Sequence, residues 1–483
     1  MKFSKIFALA LAALMLLTLL AACGGNSATT DDNSSNEPGG NTDPGDSSGG
    51  DSSSSLRYNN TRDIYIGQWW DSEYDSNTLE MPEDEADPMV GQMRLDNMRA
   101  IEERYNVTFN YVNMTFDGAR ESLNTSLKAG TPDVDIYTLD TQFMIMPITS
   151  GYAIPISDYA TDPAYDILNN DEAKNVFTPI NIGGMDKDYI FSVTPTINPN
   201  AMYMLGFNYD ILQAKGQPNP QDLYDAGEWT WQAWMDIMKA CTDTTTGTPT
   251  YGWSGGHVRF LENLLISNNA HIALGETEEI TSAPTREVFD FIDDMYNISQ
   301  VAKAWSDEGG IFWENGDWSN NDLAFFIFIP WLAQNYGVSQ SEDCPYDIRS
   351  VPWPTGPTAE AQGGVSATVN LNGNVMMIPV GTPDPEIVFR VYYDFTNWFA
   401  GDTSLRDDWT WMEDLFGPDT RGWEYAKKMC EKAQYDMWND LAMTDENGNG
   451  FYIGGIMNGS ETPTQFTEKW KNIVQDYINN AFN

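Results

Sequence analysis

Apolar positions along this chain fall into three regimes. The first is a single apolar run from Ile6 to Ala22, preceded by Lys2 and Lys5 and closed by small residues. A positive end, an apolar middle and small residues at the cut predict a secretory signal over 1–22, and the run is shorter than the ~20 residues of a usual spanning helix. The second regime, from Gly24 to Ser55, is almost wholly Gly, Ser, Asn, Asp, Thr and Pro, without an aromatic residue or a base. Such a segment buries too little apolar surface to offset the entropy of ordering, so 23–55 is expected to be a disordered linker with a mean reach of about 30 Å. The third regime begins near Arg62 and is periodic. Asp63 to Trp70 predicts a strand ending in two tryptophans. Leu95, Met98, Ile101 and Tyr105 share one helical face, Val107 to Val112 is strand-like, and Ala119, Leu123 and Leu127 form a second helical stripe stopped by Gly130 and Pro132. Val134 to Leu139 is a third strand. The order strand, helix, strand, helix, strand predicts a parallel, doubly wound sheet with ligands beyond the carboxyl ends of its strands.

Beyond Gly183 the pattern changes. Met202 to Tyr209 predicts a strand, about Thr230 to Cys241 a helix with Trp231, Trp234 and Met238 on one side, and another helix starts near Pro284. Leu323 to Ile329 is nearly continuous apolar sequence, the pattern of a strand buried on both faces. Ile348 to Pro354 is an extended connector, because residues before proline avoid the helical region. Asn374 to Pro379 is strand-like, and Asp384-Pro385-Glu386 is a helix start, followed by a stripe of Val388, Val391, Phe395 and Trp398. Helical patterns near 423–441 and 464–477 close the chain, and no internal repeat is present.

Composition narrows the function. With 41% apolar and 13% aromatic residues in 483, the chain can bury a large core. A formal charge of -46 repels nucleic acid and anionic headgroups, which excludes both as expected partners. Cys241, Cys344 and Cys430 are scattered, without a Cys-x-x-Cys, so neither a disulfide framework nor a zinc site is expected, although one bridge among them is open. His257 and His271 are too far apart for a short zinc spacing. The stretch Asp445 to Gly450 opens like a calcium loop, but Ile456 stands where a bidentate Glu is required, so a polar turn is expected and no metal or cofactor. There is no Gly-x-Ser-x-Gly element and no nucleophile signature.

Leu20-Ala21-Ala22-Cys23 resembles the bacterial lipobox, in which the chain is cut before the cysteine and Cys23 carries the lipid. Further motifs resemble the extracellular solute-binding proteins of bacterial ABC importers, the sugar-binding type. They are Pro132-Asp133-Val134, Asp188 to Pro195, Gly206 to Leu212, Trp229-Thr230-Trp231, Tyr251-Gly252-Trp253, Ile329-Pro330-Trp331 and Val351 to Pro357. Each is weak alone; seven in order are specific together. Phe207-Asn208-Tyr209 departs from the usual Tyr-Asn-Lys, and the loop from Asp71 to Pro88 is longer and more acidic than usual. The resemblance implies an α/β fold of two lobes, the type II periplasmic-binding-protein-like architecture, joined by a hinge with crossings near Val193 and Val351. Lobe 1 would take 56–193, lobe 2 194–350, the hinge return and the rest of lobe 1 351–415, and 416–483 would pack mainly on lobe 2.

It also implies a monomeric receptor, not an enzyme. Tethered outside the cell membrane through Cys23, it would capture a carbohydrate, an oligosaccharide above all, and pass it to ABC permease subunits. Sugars present apolar faces for aromatic rings and a rim of hydroxyls for polar side chains. Trp69, Trp70, Trp253 and Trp331 are the stacking candidates, and Asp140, Gln142 and Asp117 the polar ones. Arg120 could meet a carboxylate if the sugar is acidic. The rival readings are a surface-anchored glycoside hydrolase, which needs only two acids at the right distance, and a same-fold receptor for peptides or for sensing.

Overall fold

The computed structural model describes residues 57–71, 74–81, 87–140, 143–180, 187–192, 202–304, 318–369, 374–434, 438 and 451–482. The signal, Cys23, the linker, Gln142 and the turn at Asp445 to Gly450 lie outside them. Residues 1–54 and 55–483 are separate units, and all that follows concerns the second.

Among the described residues the first sheet has six strands: β1 (Arg62–Gln68), β2 (Val107–Asn113), β3 (Ile136–Leu139), β4 (Thr178–Ile180), β5 (Ile190–Ser192) and a late strand, Val375–Met377. The second sheet has four: β6 (Met204–Asn208), β7 (Tyr251–Ser254), β8 (Leu323–Phe328) and β9 (Ile348–Val351); the late strand is therefore β10. The spatial orders are β2-β1-β3-β10-β5-β4 and β9-β6-β8-β7. The parallel sheet expected from the amino-terminal pattern is present as β2-β1-β3, while β10 runs antiparallel to both β3 and β5. In the second sheet β8 is parallel to β7 and antiparallel to β6. All six residues of β8 are buried, which accounts for their continuous apolarity.

Helix α1 (Pro88–Tyr105) begins where the Asp87 carboxylate accepts from the Met89 and Val90 amides, and ends at Asn106 in the left-handed region. Its stripe of Leu95, Met98, Ile101 and Tyr105 packs with Val388, Val391 and Tyr392 of a late helix, Pro385–Thr396. Pro385 stands at the first turn of that helix as expected, but Asp384 adopts φ 49° and makes no side-chain cap. Helix α2 (Phe116–Asn124) follows β2. Around the second sheet lie α3 (Trp231–Cys241), capped by Thr230, α4 (His257–Ser267) and α5 (Ala283–Asp293), whose last turn runs into a π-helical turn at Asp294–Ile298.

The chain leaves β5 for β6 through residues outside the described set. Its return differs from the expected crossing near Val351. Residues 352–369 stay with the second sheet, and the first sheet is regained only at β10. The reason is Trp353: its ring lies among Trp234, Trp253 and Phe260, and its Nε1 donates to the Tyr203 carbonyl at 2.8 Å. Thr355 bridges Thr230, and the Asn268 side chain accepts from the Thr358 amide at 2.8 Å. The prolines at 352 and 354 end the ladder without releasing the segment. With the Pro385–Thr396 helix as α6, α7 (Arg421–Glu431) packs on β9 and α8 (Pro463–Phe482) on α5. Phe466, Trp470, Val474 and Ile478 form the buried stripe of α8 at four-residue spacing. Cys241, Cys344 and Cys430 are all free thiols, and burial pushes Cys241 up to about 11 and Cys430 up to about 12. Among the described residues no helix is long and apolar enough to cross a membrane.

Candidate functional site

The candidate residues lie at the carboxyl ends of the strands. β1 and β2 pair in register from Arg62 with Val107 to Gln68 with Asn113, so both strands end at one level. The chain leaving β1 places Trp69 and Trp70 there, and Gln68 fixes that turn by donating to the Trp70 carbonyl at 3.0 Å. Beyond β2, Asn113 donates to Asp71 at 3.0 Å, Thr115 takes φ 58°, and Phe116 opens α2. The rings then meet in series. Trp69 and Trp70 lie edge to face at 5.0 Å, Trp69 and Phe116 edge to face at 5.8 Å, and Phe116 and Phe143 tilted at 5.1 Å. Trp70 is 39% and Phe116 36% exposed, so large aromatic surface remains in contact with solvent at this edge. Exposed rings held at right angles present faces for the C–H surface of a ligand.

Asp140 follows β3 directly. Its carbonyl accepts from the Phe143 amide at 2.9 Å, and its Oδ2 lies 3.9 Å from Nη2 of Arg259. Arg259 is in the first turn of α4, which follows β7, so the carboxyl ends of the two sheets meet at this pair. The guanidinium is almost wholly buried: Nη1 donates to Oε2 of Glu262 at 3.0 Å, and the group sits over the Tyr203 ring at 5.3 Å. Burial pushes the Tyr203 hydroxyl up to about 12, with Arg259 pulling against it and Glu262 and Asp140 adding to it.

The remaining expected site residues are placed as follows. Asp117 is in the first turn of α2, 82% exposed by side chain and paired with Arg120 at 3.0 Å. The Arg120 charge is thus already matched on the helix surface. Trp253 is a correction. It is fully buried, stacked on Phe260 at 4.6 Å and edged by Trp234 and Trp353, with Nε1 donating to Tyr296 at 3.2 Å. Both faces are taken by protein, so the ring belongs to the core of the second sheet. The backbone of Trp331 lies in a short turn, Pro330–Leu332, at the carboxyl end of β8; its side chain, like Gln142, is outside the described set. Phe116, Phe143, Arg259 and Glu262 were not singled out from sequence. A visible signal existed for the last two: a charged i,i+3 pair inside an otherwise apolar helix, His257-Val258-Arg259-Phe260-Leu261-Glu262.

The family described as bacterial extracellular solute-binding protein matches residues 98–404. No curated protein matches the chain by sequence. Among solved structures, the GacH receptor of Streptomyces glaucescens, determined unliganded and with acarbose or an acarbose homolog, gives a TM-score of 0.55 at 14% identity, over 87% of this chain and 99% of that one. The maltose/maltodextrin-binding domain MalE from Bdellovibrio bacteriovorus, bound to maltotriose, gives 0.55 at 12% identity, over 86% of this chain and 100% of that one. UgpB from Mycobacterium tuberculosis, in complex with glycerophosphocholine, gives 0.55 at 13% identity, over 87% and 99%. At such identities the likeness is one of fold: two α/β lobes of the maltose-binding-protein-like type II class.

Proposed function

We propose that this chain, which belongs to the bacterial extracellular solute-binding proteins, captures a carbohydrate, an oligosaccharide above all, and delivers it to an ABC permease. The observation that carries the reading is the ring series at the strand ends: Trp70, Trp69 and Phe116 in edge-to-face contact, with Trp70 and Phe116 exposed. The fold alone does not choose the ligand, since neighbours of equal likeness were solved with acarbose, maltotriose and glycerophosphocholine. The rings and Asp140 do the choosing: faces for apolar sugar surface, and a carboxylate for hydroxyls. Asp117 sits at the rim, and Gln142 and Trp331 complete the set proposed from sequence. Binding closes the lobes by favouring the closed population, and no bond is broken.

Cys23 carries a lipid after cleavage of the signal, and the linker keeps a monomeric receptor outside the cell membrane near its permease, where tethering raises its local concentration. Replacing Cys23 with Ser should release the protein into the medium with ligand binding intact. The function itself is tested by thermal shift and calorimetry of purified protein against mono- to tetrasaccharides and glycerophosphocholine. Saturable binding of a saccharide without turnover is expected. Binding of glycerophosphocholine alone, or release of product from any glycan, would defeat this reading.

A further inference from the structure

The loop from Asp71 to Pro88 stands out in the sequence by its length and acidity, and Trp69 and Trp70 lead straight into it. Its residues Tyr74 and Met81 pack into the same core as the buried stripe of α1, and its Ser76 meets β2, the edge strand of the first sheet. We propose that Arg99 and Glu102 of α1 are positioning residues for the ring pair: with Ser76 they form a clasp that ties down the loop behind Trp69 and Trp70 and holds the rings ready for ligand. The inference rests on the carbohydrate reading and adds to it the residues that fix the stacking surface from outside the ligand site.

The clasp is built on Ser76. Its amide donates to the Phe109 carbonyl at 3.0 Å and its Oγ accepts from the Phe109 amide at 2.6 Å, so one residue satisfies both outward-facing backbone groups of Phe109 on the edge strand. The same hydroxyl donates to Oε1 of Glu102. Nη1 of Arg99 donates to the Ser76 carbonyl at 3.3 Å and to Oε2 of Glu102 at 2.7 Å, and Nη2 donates to the Thr78 carbonyl. A solvent-exposed i,i+3 pair contributes little by itself. This pair also gathers two loop carbonyls and a hydroxyl, and the fixed fork of a guanidinium lets one side chain hold three acceptors at once. Loop and strand therefore meet twice, Asp71 at Asn113 and Ser76 at Phe109, with Trp70 directly ahead of the first meeting. About 13 Å of strand lies between Asn113 and Phe109, and the loop from Asp71 to Ser76 reaches only about 17 Å at full extension, so the two meetings leave little slack. Within that interval Tyr74 is buried, and Arg94 lies between its ring and that of Trp398, at 5.6 and 5.1 Å. Releasing Ser76 removes the second meeting. The segment that follows the rings then gains conformational freedom that ligand binding must take away again.

The test labels the full chain with 5-fluorotryptophan and reads the fluorine resonances of Trp69, Trp70 and Trp253, each assigned by its replacement with Phe. In Arg99→Ala and Ser76→Ala the Trp69 and Trp70 resonances should shift or broaden, while that of Trp253 in the core stays in place. Arg99→Lys keeps the charge without the fork and should fall between the unaltered protein and Arg99→Ala. Calorimetry with maltotriose, cellotriose and mannotriose completes the test. The trisaccharide that binds should lose about tenfold in affinity in Arg99→Ala, through a less favourable binding entropy and with Tm little changed. Unmoved Trp69 and Trp70 resonances, or moved resonances with full affinity, would overturn the clasp while leaving carbohydrate capture standing. A change that spreads to Trp253 would overturn it too, since it marks a general loosening of the fold. If none of the trisaccharides binds the unaltered protein, the carbohydrate reading fails, and the fluorine spectra by themselves decide whether the clasp holds the rings.

Discussion

The rings of Trp69 and Phe116 meet edge to face, with centroids 5.8 Å apart and planes at 86°. One follows β1 and the other opens α2, so each ring is positioned by a different connection and braced by the other. Phe116 is reached through Thr115, whose positive φ turns the chain back over the strand ends and whose Oγ1 accepts from the Gly118 amide at 3.1 Å. Trp69→Ala should therefore remove a stacking face and its brace together. An affinity loss of about tenfold or more for the bound saccharide is expected, or about 1.4 kcal/mol, with only a small fall in Tm. Calorimetry with a melting curve on the same preparation checks it; a large Tm loss with unchanged affinity would place Trp69 in the core instead.

Trp253 should behave in the opposite way. Its ring contacts Phe260, Trp234 and Trp353, and Trp253→Ala opens a cavity among them. Large aromatic truncations of this kind cost about 3–5 kcal/mol. Denaturant unfolding should show a loss of that size, while Trp253→Phe should lose less, since it keeps most of the packing and forfeits the bond to Tyr296.

These two tryptophans also show what the sequence can and cannot tell. Trp69 directly follows β1 and Trp253 is the last residue but one of β7, and both stand close after a glycine, Gly67-Gln68-Trp69 and Tyr251-Gly252-Trp253. Their local patterns are alike; what separates them is what lies on top. Trp253 is covered by Phe260 of α4, the helix that follows it, and by Trp234 of α3 and the Trp353 ring, which come from other parts of the chain. The alternation of strands and helices was legible because it depends on near neighbours: the stripe of α1 and the continuous run of β8 are where periodicity puts them. The return to the first sheet was not, because Pro352 and Pro354 mark a break in the ladder, whereas Trp353 decides where the broken segment packs. The charged pair of Arg259 and Glu262 was visible as an i,i+3 pattern, but the approach of Arg259 to Asp140 was hidden for the same reason, being set by tertiary structure alone.

Gly206 offers a test of the second sheet. It pairs with Phe326 across the antiparallel β6–β8 ladder, and a Cβ built there would overlap the Phe326 ring and come within 2.9 Å of Phe328 Cβ. Its φ is not in the left-handed region, so the requirement is space alone. Gly206→Ala should cost about 1–3 kcal/mol by overpacking, seen as a lower unfolding midpoint with an unchanged denaturant slope.

Two half-buried carboxylates should give the acid limb of the stability curve opposite contributions. Asp419 precedes α7 and pairs with Arg349 of β9 at 3.0 Å and with Arg421 at 3.2 Å. Burial pushes its carboxyl up, but hydrogen bonds from Arg421 and the charges of Arg421 and Arg349 outweigh that, leaving it below its ordinary 3.8. A lowered value means that the folded state prefers the ionised form. The stabilisation is present above the unfolded value and is lost as pH falls through the folded one. Asp394 of α6 is displaced the other way: burial raises it, against hydrogen bonds from Tyr105 and Tyr165 and the charge of Arg104. Its folded form takes up a proton before the unfolded one does, so its contribution is complete below about 3.8 and is lost as pH rises through the raised value. Asp419→Asn should thus lower stability by about 1 kcal/mol at neutral pH and flatten the loss between roughly pH 5 and 3. Asp394→Asn should steepen that loss, since it removes the one group of the two that favours folding on acidification. Melting temperatures of the three proteins measured from pH 3 to 7 decide it, and parallel curves would show that neither carboxylate is linked to folding.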